Sequence, residues 1–346
     1  MSDGFENDDT MFSVKIPPWH GIGTVLEDNP TPAEAVELAG MTDKVEGRPV
    51  YVGVPMPHDD SDEEEGSDDE DDDDDGEEPM VDGHTWVQGY QAITRVSDGK
   101  VYAILKDSYH IFQFSEAFEW ITPLVENGML KLETAGTLGD GRRGWILAAV
   151  VGAEEEVRPG DLVKQNVLFA TSHDGTMSVW NGTCATRVVC SNTLRMAMDE
   201  GTLNRIRHSD NMHVRLDVAR DVLAANIDTF RSRIGLARLM ADRKVTVDLL
   251  VGYVRAVFKS ETEDQLQKRI DTIMPLFEGG RGNGQGSLWD LYNAVTEWLN
   301  YNRGKSQDGR LESLWFGEGA KISDRAWGSA VKLIGEIVDD GDGEEG

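Results

Sequence analysis

HDGTMSVWNGTCATRVVCSNTLRMAM, residues 173–198, is the stretch where the chain changes its period, and its reading decides the fold. Before it, LVKQNVLFATS (162–172) reads as a strand. His173-Asp174-Gly175 then reads as a hairpin turn, because Asp-Gly suits positions where the backbone must take positive φ. TMSVWNGTCATRVVC (176–190) reads as the returning strand. From Ser191 onward the apolar spacing turns helical, and SNTLRMAMDEG predicts a short helix between Ser191 and Gly201, capped by Ser191 or Asn192.

Working outward toward the N-terminus, the same grammar repeats. MLKLETAGTL and GWILAAVVG flank the turn GDGRR, and TWVQGYQAITRV and VYAILKD flank SDGK, so two further hairpins are expected. Between them SEAFEWITPLVENG predicts a helix that starts at Ser115 and stops at Asn127-Gly128, with Pro123 inside it. RPVYVGVPM alternates like a strand. Thr31-Pro32 opens a short helix, Ala33 to Ala39, closed by Gly40.

Outward toward the C-terminus, helical spacing dominates. Helices are expected over 213–240, in TVDLLVGYVRAVF, over 262–274 and 287–302, and over roughly 321–338. The glycine run GGRGNGQGS lacks the GxxxxGK[ST] spacing of a phosphate loop and reads as a flexible linker; the other reading is backbone approach to a ligand near Arg281. No fixed-period repeat is present. The fold class is therefore α+β: an antiparallel, hairpin-rich sheet domain followed by a mostly helical C-terminal half. The boundaries are 1–56 for an N-terminal segment with a short helix and first strand, 57–83 for an acidic loop, 84–201 for the antiparallel core, 202–336 for the helical region and 337–346 for an acidic tail.

The net charge of −31 is concentrated. Residues 59–82 hold 17 acids and no base, and the last ten residues hold 5 more; taking both away leaves about −9 for the rest. Like charges at successive positions repel and offer nothing to bury, so 57–83 is expected to be a disordered loop between two strands. The chain has 346 residues and is 39% hydrophobic, enough for a sizeable core. No window is apolar enough for a membrane span, and MSDGFENDDTMF is acidic where a secretory leader would be basic and then apolar. A cytoplasmic protein with no membrane association is expected. Two cysteines, Cys184 and Cys190, cannot make a disulfide framework, and the seven histidines show no ligand spacing. No metal and no cofactor are expected.

Several separated pieces, PWHGIGT, SHDGT, RVVCSNTL, IRHS and GSLWDLYNAVTEWL, resemble in that order the phage and plasmid-like family numbered 932 among domains of unknown function. The resemblance spans roughly residues 17–335, and the acidic run departs from its pattern. It implies an origin in phages, prophages or plasmids and carries no catalytic set to this chain.

The residues offer three functional readings. The leading one is a non-enzymatic accessory protein associated with DNA, of single-strand binding or annealing type. Nine bases lie between residues 205 and 244 against five acids, and arginine is the preferred partner of phosphate. In this reading Arg187, Arg195, Arg205 and Arg207 contact phosphates and Trp180 stacks on a base, as aromatic-plus-arginine surfaces do. Strand aromatics Trp86, Tyr90, Tyr102, Tyr109 and Trp145 belong either to that surface or to the core. The alternative is an acidic, DNA-mimicking protein whose 59–82 run engages a basic host protein, such as a defence or nucleic-acid enzyme. A minor third reading places a nucleophile at Cys190 with His173 or His208 as base; alternation with Val188 instead makes Cys190 a small buried hydrophobe.

Overall fold

The computed structural model describes residues 10–15, 23–53, 84–187, 192–194, 204–206, 227–303, 313–314 and 317–341. These form two sheets and seven helices, mixed α+β, with most helices in the C-terminal half. The larger sheet contains β1 (Met11–Val14), β2 (Thr24–Leu26), β6 (Leu130–Leu138), β7 (Arg143–Arg158), β8 (Asp161–Ser172), β9 (Val179–Arg187), β10 (Asn192–Leu194) and β11 (Asn204–Ile206). Its strand order is β10-β9-β8-β7-β6-β1-β2, with β11 also paired to β9. The smaller sheet is β3 (Val45–Gly53), β4 (His84–Arg95) and β5 (Val101–Lys106) in that order.

All three expected hairpins form, as β4–β5, β6–β7 and β8–β9, each antiparallel. Gly175, at φ 69°, takes the positive-φ position of the turn before β9. One pair departs from the antiparallel expectation: β1 and β2 run parallel, the register matching Phe12 with Thr24. The acidic run connects two strands, as expected, since β3 and β4 stay paired to Gly53 opposite His84; residues 54–83 themselves lie outside the described residues.

The helix expected from Ser191 is overturned where it is described. Asn192–Leu194 is strand β10, paired with Arg187–Ala185 of β9. The physical reason is that the edge of β9 offers free backbone groups, and a short return strand satisfies them at once, whereas a capped helix would have left that edge open. Residues 195–201 and 213–226, the rest of two expected helices, are outside the described residues.

The helices are α1 (Pro32–Leu38), α2 (Phe114–Glu126), α3 (Ile227–Asp242), α4 (Val247–Phe258), α5 (Glu263–Gly279), α6 (Leu288–Glu297) and α7 (Glu318–Gly341). Thr31 caps α1, with Glu34 closing the reciprocal box. α2 begins one residue before Ser115: Gln113 is the N-cap, its backbone N–H donating to Glu116. The Gln113 amide also clamps Val45 of β3, accepting from its N–H and donating to its carbonyl, so the cap doubles as a tie to the edge of the small sheet. α5 runs past residue 274 and through Pro275. α6 continues into a π-turn, Trp298–Asn302.

One face of the large sheet and the helices share a continuous core. Phe12, Leu132, Ile146, Val163 and Phe169 from strands join Phe118 of α2, Ile234 of α3, Val254 of α4 and Trp289 of α6. Every residue of α6 is buried, so this helix runs through the centre of the helical half. The opposite face of the sheet carries a smaller apolar cluster, Met11, Trp145, Leu147, Leu168 and Cys184.

Candidate nucleic-acid interface and adjoining cleft

Strand β9 holds two of the residues the sequence singles out. Its register with β8 is unbroken from Trp180 opposite Ala170 to Arg187 opposite Val163. An odd spacing on a regularly paired strand puts the two positions on opposite faces, so they belong to different surfaces. Trp180 is instead matched with Arg205, directly opposite on β11. The structure thus brings Trp180 and Arg205 to one register position and separates both from Arg187. Arg195, Arg207, Cys190 and His208 lie outside the described residues.

Arg187 does not face solvent: its relative exposure is 0%. Its Nε and Nη2 donate to the two carboxylate oxygens of Asp161 at 2.5 and 2.6 Å. The same guanidinium donates to the carbonyl of Gly282 at 2.7 Å and to Asn283 Oδ1 at 2.9 Å. Asp161 also accepts from Trp289 Nε1 at 2.9 Å and pairs with Arg158, which in turn holds Asp290 of α6 at 2.6 Å. Asp290 completes the α6 cap by accepting from the Ser287 N–H and hydroxyl. Burial pushes its carboxyl up, but the Arg158 and Ser287 donors prevail and hold it below the ordinary carboxylate range. Glu297, at the end of α6, is pushed up by burial while it accepts from the Arg281 N–H.

This cluster corrects the reading of the glycine run. The loop does not hang free: Arg187 and Arg158 hold its Gly282 carbonyl and Lys244 holds the Gln285 carbonyl. Gly282 and Gly284 sit at φ 71° and 110°, conformations that side chains rarely adopt, which lets the loop fold back onto the arginines. It is the seam between sheet and helices.

The small sheet presents a different kind of surface. Its inner face is buried through Val45, Ile93 and Arg95. Its outer face carries Arg48, Ala92 and Ile104 in one row and Tyr90 with Lys106 in the next. Tyr90 is 45% exposed and Ile104 57% exposed, beside Val101 at 52%. Arg48 is exposed and meets Glu46 at 2.7 Å, a solvent-screened pair. Of the aromatics weighed from sequence, Trp145 is in the core, Tyr109 is tied through its hydroxyl to the Ser172 carbonyl, and Tyr90 reaches solvent.

On the inner side of this sheet, where the β4–β5 turn meets the large sheet and α2, lies a cleft of about 430 Å³. Asp43, Ser97 and Asp98 stand among its lining residues, with Tyr102, Phe114 and His173 deeper in. Arg95 donates to both oxygens of Asp98, at 2.9 and 2.6 Å, and to Asp140 at 3.2 Å, while Lys100 pairs with Asp140. Arg95 and the Lys100 N–H hold the Asp98 carboxyl well below its usual range. The rings of Phe114 and His173 stack at 3.8 Å, and Tyr102 follows at 6.3 Å. His173 is buried, and its Nε2 is 3.1 Å from the Phe112 carbonyl. Asp174 serves the turn, accepting from the Thr176 N–H and hydroxyl.

Among the described residues, no group of three or more His, Cys, Asp and Glu side chains is placed to hold a metal ion. Among the same residues no helix is long and apolar enough to cross a membrane. The sequence signal for the outer face lies in Tyr90 and the alternation of β4 and β5; Arg48 and Lys106 carry no such signal because neither lies in a basic cluster.

Comparison with known families gives one match: a model described as a domain of unknown function, DUF932, covers residues 101–315, more than half of the chain. The span is narrower than the 17–335 of the motif resemblance, and the acidic run and β1–β4 fall outside it. No curated protein and no solved structure matches.

Proposed function

The chain belongs to the DUF932 family, and since that membership names no activity, we propose from the surface itself that the protein binds single-stranded nucleic acid without catalysis, on the outer face of the β3–β4–β5 sheet. The observation that carries this reading is the exposed Tyr90 in register with Lys106, one row from Arg48 and Ile104. A sheet face with an exposed ring supplies a stacking platform that any base can use, and the two cations beside it supply phosphate contacts. In this reading Trp180 and Arg205, matched in backbone register across β9 and β11, are further candidate positions.

The test is a fluorescence-anisotropy titration with a labelled oligothymidylate at low and raised salt. Binding that weakens steeply with salt is the expected result. Tyr90→Ala should weaken it about 5- to 150-fold, matching ~1–3 kcal/mol for one stacked base. An absence of binding at low salt overturns the reading.

A second reading follows from the position of the acidic run, which leaves and rejoins the same sheet at Gly53 and His84. In it residues 59–82 engage a basic protein partner. Deleting 59–82 should then abolish binding to a basic test protein while leaving oligonucleotide affinity no weaker.

A further inference from the structure

The large sheet ends at β2, which among the described residues pairs only with β1. Leu26 turns its carbonyl toward β1, where it accepts from the Lys15 N–H at 2.7 Å. Backbone groups alternate sides along a strand, so Val25 turns its N–H and carbonyl to the open edge, and its residue surface is 45% exposed. Beside this edge, between the β2–α1 loop and α1, runs a groove of about 670 Å³. Leu26, Pro30 and Leu38 give it apolar lining, and Glu27, Asp28, Glu34 and Glu37 give it carboxylates with no basic residue among them. We propose that the β2 edge and this groove dock an extended, arginine- or lysine-bearing segment of a partner protein.

The open edge sets the mode of docking. A peptide added beside β2 gains main-chain hydrogen bonds from Val25, and its alternate side chains fall toward the groove. Because β2 is short, those bonds are few, and the groove decides which peptide stays.

Charge selects the occupant. Glu34 is in use at the cap of α1, accepting from the Thr31 N–H and hydroxyl at 2.8 Å each. Glu27, Asp28 and Glu37 make no ion pair among the described residues. Glu37 also stands in the last turn of α1, a turn without a base, where the negative end of the helix dipole disfavours an acid and favours a cation. An arginine or lysine side chain matches this lining along its whole length: the stem packs on Leu26 and Leu38 while the head reaches the carboxylates. A phosphate chain meets repulsion here, so this surface is separate from the oligonucleotide face.

The experiment titrates the full chain with a short fluorescein-labelled peptide of alternating arginine and valine, and with its glutamate–valine counterpart. The basic peptide should bind and the acidic one should not. Combining Glu27→Gln, Asp28→Asn and Glu37→Gln should weaken binding about tenfold, roughly twofold for each surface ion pair lost. Val25→Pro removes the outward N–H and no bond to β1; it should weaken binding about fivefold, the size of one hydrogen bond, with the melting temperature unchanged. Binding should also survive deletion of 59–82. Affinity that ignores the triple variant and Val25→Pro overturns the proposal, and affinity lost on deleting 59–82 assigns the peptide to the acidic run and overturns it as well. Light scattering that shows self-association, abolished by the triple variant, gives the groove to a second copy of this chain and overturns the partner.

Discussion

Arginine meets two opposite fates in this molecule, at the seam beneath the glycine loop and on the outer face of the small sheet. At the seam, Arg187 and Arg158 are packed against Asp161, Asp290 and Trp289; Arg187 gives its donors to Asp161, Asn283 and loop carbonyls, and Arg158 joins Asp161, Asp290 and the Gly282 carbonyl. On the sheet face, Arg48 stands in solvent beside Tyr90's row. A guanidinium buried away from water must be paired, and once paired it organises the fold; one at the surface, as Arg48 with Glu46, makes only a solvent-screened pair that a partner can replace. The abundance of arginine in the sequence is therefore no measure of a binding surface, and burial separates the two uses.

Three measurements bear on that contrast, in descending size. Arg187→Ala should destabilise the protein by about 3–5 kcal/mol, the cost of leaving Asp161 without its bidentate partner in a buried site. Denaturant unfolding would measure it, and a loss under ~1 kcal/mol would mean that the seam does not organise the fold. Acidification should act next. Asp290 is held below the ordinary carboxylate range in the folded state, so its contribution is present above the unfolded value of about 3.9 and is lost as pH falls through and below it. Glu297 is raised by burial, so its contribution has the opposite sign: present at low pH and lost as pH rises through its folded value. The melting temperature should fall on acidification from about pH 5 to pH 3, and Asp290→Asn should flatten that limb; an unchanged limb would remove Asp290 from the account. The smallest effect belongs to the sheet face. Tyr90→Ala should shift stability by no more than about 0.5 kcal/mol, as surface substitutions do, so that any change in oligonucleotide binding is separable from folding. A larger loss would make Tyr90 part of the fold.

Much of the fold is legible locally. Asp-Gly turns, alternation and capping residues operate within a few residues, and the three hairpins, α1 and α4 follow from them. Ser287-x-x-Asp290 also marks the start of α6. The helix expected at Ser191 illustrates the limit. SNTL has good capping chemistry, yet residues 192–194 pair with β9, because an unsatisfied strand edge outweighs a local preference. The candidate site was less visible. Trp180 and Arg205 are 25 residues apart and are matched only through sheet register, and in sequence Arg187 looks like a surface cation because nothing near it in the chain reveals that Asp161 and Gly282 close over it.

By itself, the sequence determined the class of fold, the hairpins, most helix starts and the confinement of charge to two runs, since each of these depends on neighbours along the chain. Tertiary structure decided which arginines are buried, which aromatic reaches solvent, that the glycine run is a seam and that a cleft opens beside the β4–β5 turn. Those outcomes depend on contacts between residues up to 132 positions apart, such as Arg158 with Asp290, and burial, which sets the worth of every charge, exists only once such contacts have formed.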